Sequence, residues 1–135
     1  MTGSKDSIVD ATTPSAGRIY DYLLGGHHNF EVDRQAAQGI LKAWPFMTKV
    51  MRLQRWCLQD IAHELTAVEV RGFDTIIDFA SGLPTQDHLH YVVPQGTTVM
   101  YSDYDPVVVE YAKISWATRP TCISLKPMHD VLLNS

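Results

Sequence analysis

The sequence holds only two cysteines, Cys57 and Cys122, far apart and each in an apolar neighbourhood. Two such residues exclude a disulfide framework, and their surroundings predict buried, reduced thiols. No apolar run reaches the roughly eighteen residues of a membrane-spanning helix, and the polar opening segment, residues 1–17, lacks the apolar stretch of a secretory signal. A cytoplasmic protein without membrane contact is the expectation. Positive charge is also scarce: eleven Lys and Arg stand against fifteen Asp and Glu, a formal net charge of -4. That balance offers no general field for a phosphate backbone and argues against a nucleic-acid partner. What is present, 45% hydrophobic and 19% charged residues in a chain of 135, excludes wholesale disorder and suits one core of modest size.

Residues 1–15 are rich in Ser, Thr, Gly and Asp without periodicity and read as a flexible leader. Residues 16–70 read as a helical amino-terminal cap. Ile19, Tyr22 and Leu23 stand at helical spacing and are stopped by Gly25-Gly26. Asp33 suits the N-cap of a second helix, whose stripe of Ala37, Ile40, Leu41 and Trp44 ends at Pro45. Phe46, Val50, Leu53, Cys57, Ile61 and Leu65 then recur every three or four residues. This spacing predicts a long amphipathic helix with that stripe on the core and Lys49, Arg52 and Arg55 on a solvated basic face. Trp44, Trp56 and Trp116 read as core or interface anchors.

From residue 71 the pattern changes. Phe73 to Ala80 and Gly96 to Asp105 are short, β-rich and largely apolar, as central strands covered on both faces would be. The intervening segment has room for a turn, a short helix and a return, so the strands should be parallel. Asp105 and Pro106 open a further helix, and a third strand is expected over residues 121–125. The expected fold class is α/β, with residues 71–135 a partial Rossmann-like cofactor-binding domain. Three parallel strands are about half of a usual doubly wound sheet and leave an exposed edge. A homo-oligomer formed through that edge is an expectation.

The informative residues are Asp78, Ala80, Ser81 and Gly82 at the end of the first strand and Asp103 at the end of the second. Ligands of open α/β sheets bind at the carboxyl ends of the strands. Gly82 allows close approach of backbone to ligand, and the Asp103 carboxylate suits two ribose hydroxyls. A dinucleotide fingerprint needs three glycines to cradle a pyrophosphate, whereas this turn has one, and Pro84 removes an amide donor nearby. The turn favours an adenosine cofactor without a pyrophosphate, of which S-adenosylmethionine is the common one. A glycine turn followed by an acid recurs widely in α/β proteins, so these features alone leave the ligand open. His27-His28 reads as a polar turn, and His88 and His90, two apart on a short helix, should point to different faces; no metal site is expected.

Three segments carry more. PSAGRIYDYLLGGHHNFEVDRQAA, IIDFASGLPT and VMYSDYDPVVVEYA, in this order over roughly residues 14–120, resemble the bacterial S-adenosyl methyltransferase family abundant in actinobacteria and once catalogued as a domain of unknown function. The resemblance implies a class I, Rossmann-like methyltransferase fold with the amino-terminal helices over the cofactor pocket, and a chain that stops after the third strand. It implies that Asp78 to Gly82 line the methionine and ribose of S-adenosylmethionine, that Asp103 binds the ribose, that Tyr104 lies against the adenine, and that Asp130 holds the adenine amino group. The Tyr-Asp-Tyr-Leu-Leu-Gly-Gly element would lie over the cofactor, which makes Tyr22 and Gly26 further site candidates. Ser81 stands where the family's turn has a second glycine that would ease the backbone. The implied activity is methyl transfer to a small-molecule acceptor, with no catalytic base assignable; the alternative is a truncated or degenerate, non-catalytic binding or dimerisation module. Asp103→Ala is expected to abolish cofactor binding without unfolding the chain.

Overall fold

In the computed structural model the described residues are 10–84, 87–116 and 123–127, with the backbone alone for residues 115, 116 and 123–127. Three helices come first: α1 (Ala16–Leu23), α2 (Glu31–Ala43) and α3 (Met47–Thr66). Three strands follow, β1 (Thr75–Phe79), β2 (Thr98–Asp103) and β3 (Ile123–Pro127), in the order β1-β2-β3 and parallel throughout. A single 3-10 turn at Leu89–Tyr91 lies on the crossover from β1 to β2, and α4 (Pro106–Trp116) returns the chain to β3. The fold is the expected α/β arrangement. No helix among the described residues is long and apolar enough to cross a membrane.

The core is small and centres on β2. Val99 and Tyr101 point to one side of that strand and meet Ala62 of α3, Leu89 of the crossover and Ala112 of α4. The Tyr101 hydroxyl accepts the backbone N–H of His90 at 3.0 Å and lies 2.9 Å from that ring's Nδ1, so the crossover is fastened to the strand beneath it.

Two expectations about the core are corrected. The apolar stripe of α3 faces outward: Phe46, Leu53 and Ile61 are each more than half exposed, and Cys57 is an exposed free thiol rather than a buried one; Trp56, expected as a core or interface anchor, is more than half exposed as well. The inward face carries Arg55, Ala62 and Thr66, whose hydroxyl bonds back to the Ala62 carbonyl at 2.7 Å. Ala62 is small enough to let the helix approach the core closely. Nor is β1 covered on both faces, because Ile77 and Phe79 are 43% and 47% exposed while Ile76 and Asp78 turn inward. The outer edge of β1 is unpaired among the described residues. Periodicity identifies which residues share a face; it does not say what packs on that face.

Two buried carboxylates hold the helical layer together. Asp33 is the third residue of α2, not its N-cap. From there it accepts the backbone N–H groups of Phe30 and Ser15, at 2.8 and 2.9 Å, and pairs with Arg18 of α1 at 2.8 Å, with both side chains out of water. Asp21, also buried, accepts the His28 amide at 2.8 Å and the Asn29 side chain at 3.0 Å, which closes the turn after α1. A Cβ on Gly26 would run into the Asp21 carboxylate, so the second glycine of that turn is set by contact with its own staple.

Candidate functional site

β1 and β2 run side by side in register, so the turns that leave them emerge together at the carboxyl end of the sheet. Ser81 N–H bonds the Ser102 carbonyl at 3.1 Å, and Gly82 N–H bonds Asp103 Oδ2 at 3.0 Å. The other Asp103 oxygen accepts the Asp105 amide at 3.0 Å, and Asp105 in turn accepts Val107 N–H at 2.9 Å at the start of α4. One carboxylate thus ties the first turn to the second.

These turns floor a cleft of about 440 Å³, within the usual range for small-ligand sites. Asp78, Ala80, Ser81, Gly82, Asp103 and Tyr104 all line it. Gly82 has φ +72, a conformation that favours glycine, and a Cβ there would meet nothing within 4 Å. The backbone is therefore open to a ligand at this point. Tyr104 is 80% exposed, a free ring at the rim.

Ser81 is not where a second glycine is missing. The strained residue is Ala80, the non-glycine with positive φ (55) among the described residues, while Ser81 is bonded back to β2. A left-handed alanine costs about 1–2 kcal/mol, part of which glycine would return in chain entropy. Ala80→Gly is therefore expected to stabilise the chain by about 0.5–1 kcal/mol, and Ser81→Gly to bring no gain. Urea unfolding of the two variants checks the assignment, and the reverse order would refute it.

Of the other candidates, Tyr22 and Gly26 are not brought to this cleft. Tyr22 lies about 200° round α1 from Tyr20, which does line it, and its hydroxyl accepts Gln38 Nε2 of α2 at 3.0 Å. Gly26 lines a separate depression of about 250 Å³ with Asp21, His28 and Asp87. Asp130 lies outside the described residues. The His88 and His90 rings stack 6.1 Å apart, 11° from parallel, so they share a side of the chain instead of pointing to different faces. The extended backbone at His88, ahead of a turn of only three residues, allows this. No group of three or more His, Cys, Asp or Glu among the described residues is placed to hold a metal ion.

Sequence reasoning missed Arg55. It lines the cleft, is 4% exposed, and places its guanidinium 5.5 Å from the centre of the Tyr20 ring. Its only legible signal is that it falls on the same helical face as Ala62 and Thr66. Asp78 is held above the ordinary carboxylate range by burial; the Arg55 charge works against that rise and the Asp103 charge adds to it.

The model of a family described as S-adenosyl methyltransferase matches residues 2–124. A solved structure from Thermobifida fusca YX, described provisionally as a methyltransferase, is similar over 99% of this chain and 52% of its own, with TM-score 0.82 and 28% identity. A duf574 family protein from Streptomyces avermitilis MA-4680 is similar over 96% and 51%, with TM-score 0.81 and 24% identity. The chain thus spans about half the length of these solved relatives. No curated protein matches it.

Proposed function

Because the chain belongs to the S-adenosyl methyltransferase family, we propose that its cleft holds S-adenosylmethionine and that a complete protein of this kind transfers the cofactor's methyl group to a small-molecule acceptor. The observation that carries this reading is the pairing of Gly82 with Asp103 in the floor of the cleft. The amides of Ser81 and Gly82 are both spent on β2, on the Ser102 carbonyl and the Asp103 carboxylate. They cannot serve a pyrophosphate, which would need free amides at this turn. Asp103 accepts one amide on each oxygen and keeps acceptor capacity for a ribose diol, because a carboxylate has about four lone-pair sites.

The cofactor supplies an electrophilic methyl group on a sulfonium. The chain's residues bind and orient it: Asp103 takes the ribose, the open backbone of Gly82 admits it closely, Tyr104 offers a ring for the adenine, and α1 and α3 shield one side from water. Such alignment is the main contribution expected of a protein whose cofactor carries the reactive group.

Asp103→Ala, the obvious test, also cuts the tie between the two turns, so loss of binding would be accompanied by loss of loop order. Asp103→Asn is the cleaner variant. It keeps one carbonyl acceptor for an amide and removes the charge that raises a hydroxyl hydrogen bond by about 1–1.5 kcal/mol over a neutral one, roughly fivefold to tenfold in affinity. Titration with S-adenosylhomocysteine should show that loss. Affinity unchanged in a folded Asp103→Asn chain would remove Asp103 from the site.

A further inference from the structure

Arg55 poses a problem that the proposed function does not by itself solve. A guanidinium 4% exposed must find anions or acceptors, since a buried charge left without a partner is strongly destabilising. Among the described residues no carboxylate stands within ion-pair distance of it, and its Nε–H has no hydrogen-bond acceptor. The Tyr20 ring supports the guanidinium plane but supplies no lone pair for its donors.

One opposite charge acts on it. Asp78 at the end of β1 interacts electrostatically with Arg55 and lines the same cleft, yet the two do not pair. Two opposite charges thus border one cavity without forming an ion pair, and Asp103, in the proposed function, marks the position of the sugar. A ligand group that carries an anion would satisfy the guanidinium. The α-amino acid end of the cofactor is such a group.

We propose, on the basis of the proposed function above, that Arg55 receives the α-carboxylate of S-adenosylmethionine, so that α3 selects an adenosyl amino acid over a plain adenosine thioether. Arginine suits this role because its planar fork can meet a carboxylate with two parallel hydrogen bonds, which a lysine cannot do. The position of Arg55 on a rigid helix, backed by Tyr20, fixes the fork in advance of binding.

The test uses two ligands that differ only in the carboxylate, S-adenosylmethionine and its decarboxylated form, titrated against the wild-type chain, Arg55→Met and Arg55→Lys. The wild-type chain should prefer the carboxylated ligand at least tenfold. Arg55→Met should erase that preference and leave affinity for the decarboxylated ligand within about threefold of wild type, a change below 1 kcal/mol. Arg55→Lys keeps the charge without the fork, should remain folded, and should retain only part of the preference. The proposal is overturned if Arg55→Met weakens both ligands equally, which a purely structural arginine would do, or if the folded Arg55→Lys chain keeps the full preference. A wild-type chain that binds both ligands equally well overturns the role of Arg55 and leaves the proposed cofactor standing. A wild-type chain that binds neither overturns both.

Discussion

Arg18→Met or Asp33→Ala is expected to cost about 3–5 kcal/mol of folding stability, the range found when one member of a buried ion pair is removed and the other stays. Each residue does more than pair with the other. Arg18 reaches the Asp10 and Thr13 carbonyls at 3.0 and 2.6 Å, and its guanidinium lies 5.2 Å from the centre of the Phe30 ring. Asp33 caps α2 from within its first turn and holds the Ser15 amide at the entrance to α1. Burial alone would raise the Asp33 pKa, but the hydrogen bonds from Arg18, Ser15 and Phe30 outweigh it and hold the group below the ordinary carboxylate range. The associated stability is present above the unfolded pKa and is lost as the pH falls through the lower, folded one. Urea unfolding at neutral pH measures the cost. A loss below about 1 kcal/mol for both variants would place the pair among ordinary surface bridges and contradict the account.

The second large effect concerns acid. His88 is fully buried, and that burial, opposed only in part by its bond to the Leu83 carbonyl, pushes its pKa down to about 3. Imidazole Nε2 lies 2.9 Å from that carbonyl, which fixes the neutral tautomer with its proton on Nε2. The unfolded chain takes up a proton near pH 6.5 and the folded chain does not, so folding stability falls as the pH drops below 6.5. One such group contributes a slope of up to about 1.4 kcal/mol per pH unit, or about 2 kcal/mol by pH 5. Asp33 adds its loss only below the ordinary carboxylate range. Asp78, with its raised pKa, works in the opposite direction: the folded state is relieved as that carboxylate gains a proton. His88→Gln keeps a side-chain N–H for the Leu83 carbonyl and cannot titrate. Its stability should change with pH less steeply than wild type between pH 6.5 and 4.5, by most of one proton. Parallel curves for the two proteins would show that His88 is charged in the folded state.

The α/β class, the parallel pairing of β1 with β2 and the convergence of Asp78, Gly82 and Asp103 at one end of the sheet were legible in the sequence, because strand composition and turn chemistry act locally. Three things were not legible, for one common reason: each depends on what lies across space. The apolar stripe of α3 shares a face as predicted, but the small face bearing Ala62 won the core. Arg55 looks like a solvated charge until α3 is laid against Asp78. Strain at Ala80 instead of Ser81 follows from the hydrogen bond between Ser81 and Ser102, which no neighbouring residue announces. The Asp33 side chain was legible as a cap, but the helix begins three residues earlier than its N-cap reading placed it, and Asp33 reaches back from the third helical position to the Phe30 amide.

The central claim is that the cleft at the ends of β1 and β2 takes an adenosyl cofactor without a pyrophosphate. It is tested most directly by calorimetric titration of the purified chain with S-adenosylhomocysteine and, in parallel, with NAD. Saturable, one-to-one binding of S-adenosylhomocysteine with no heat from NAD is the predicted result; a folded chain that binds NAD in its place, or neither ligand, would contradict it.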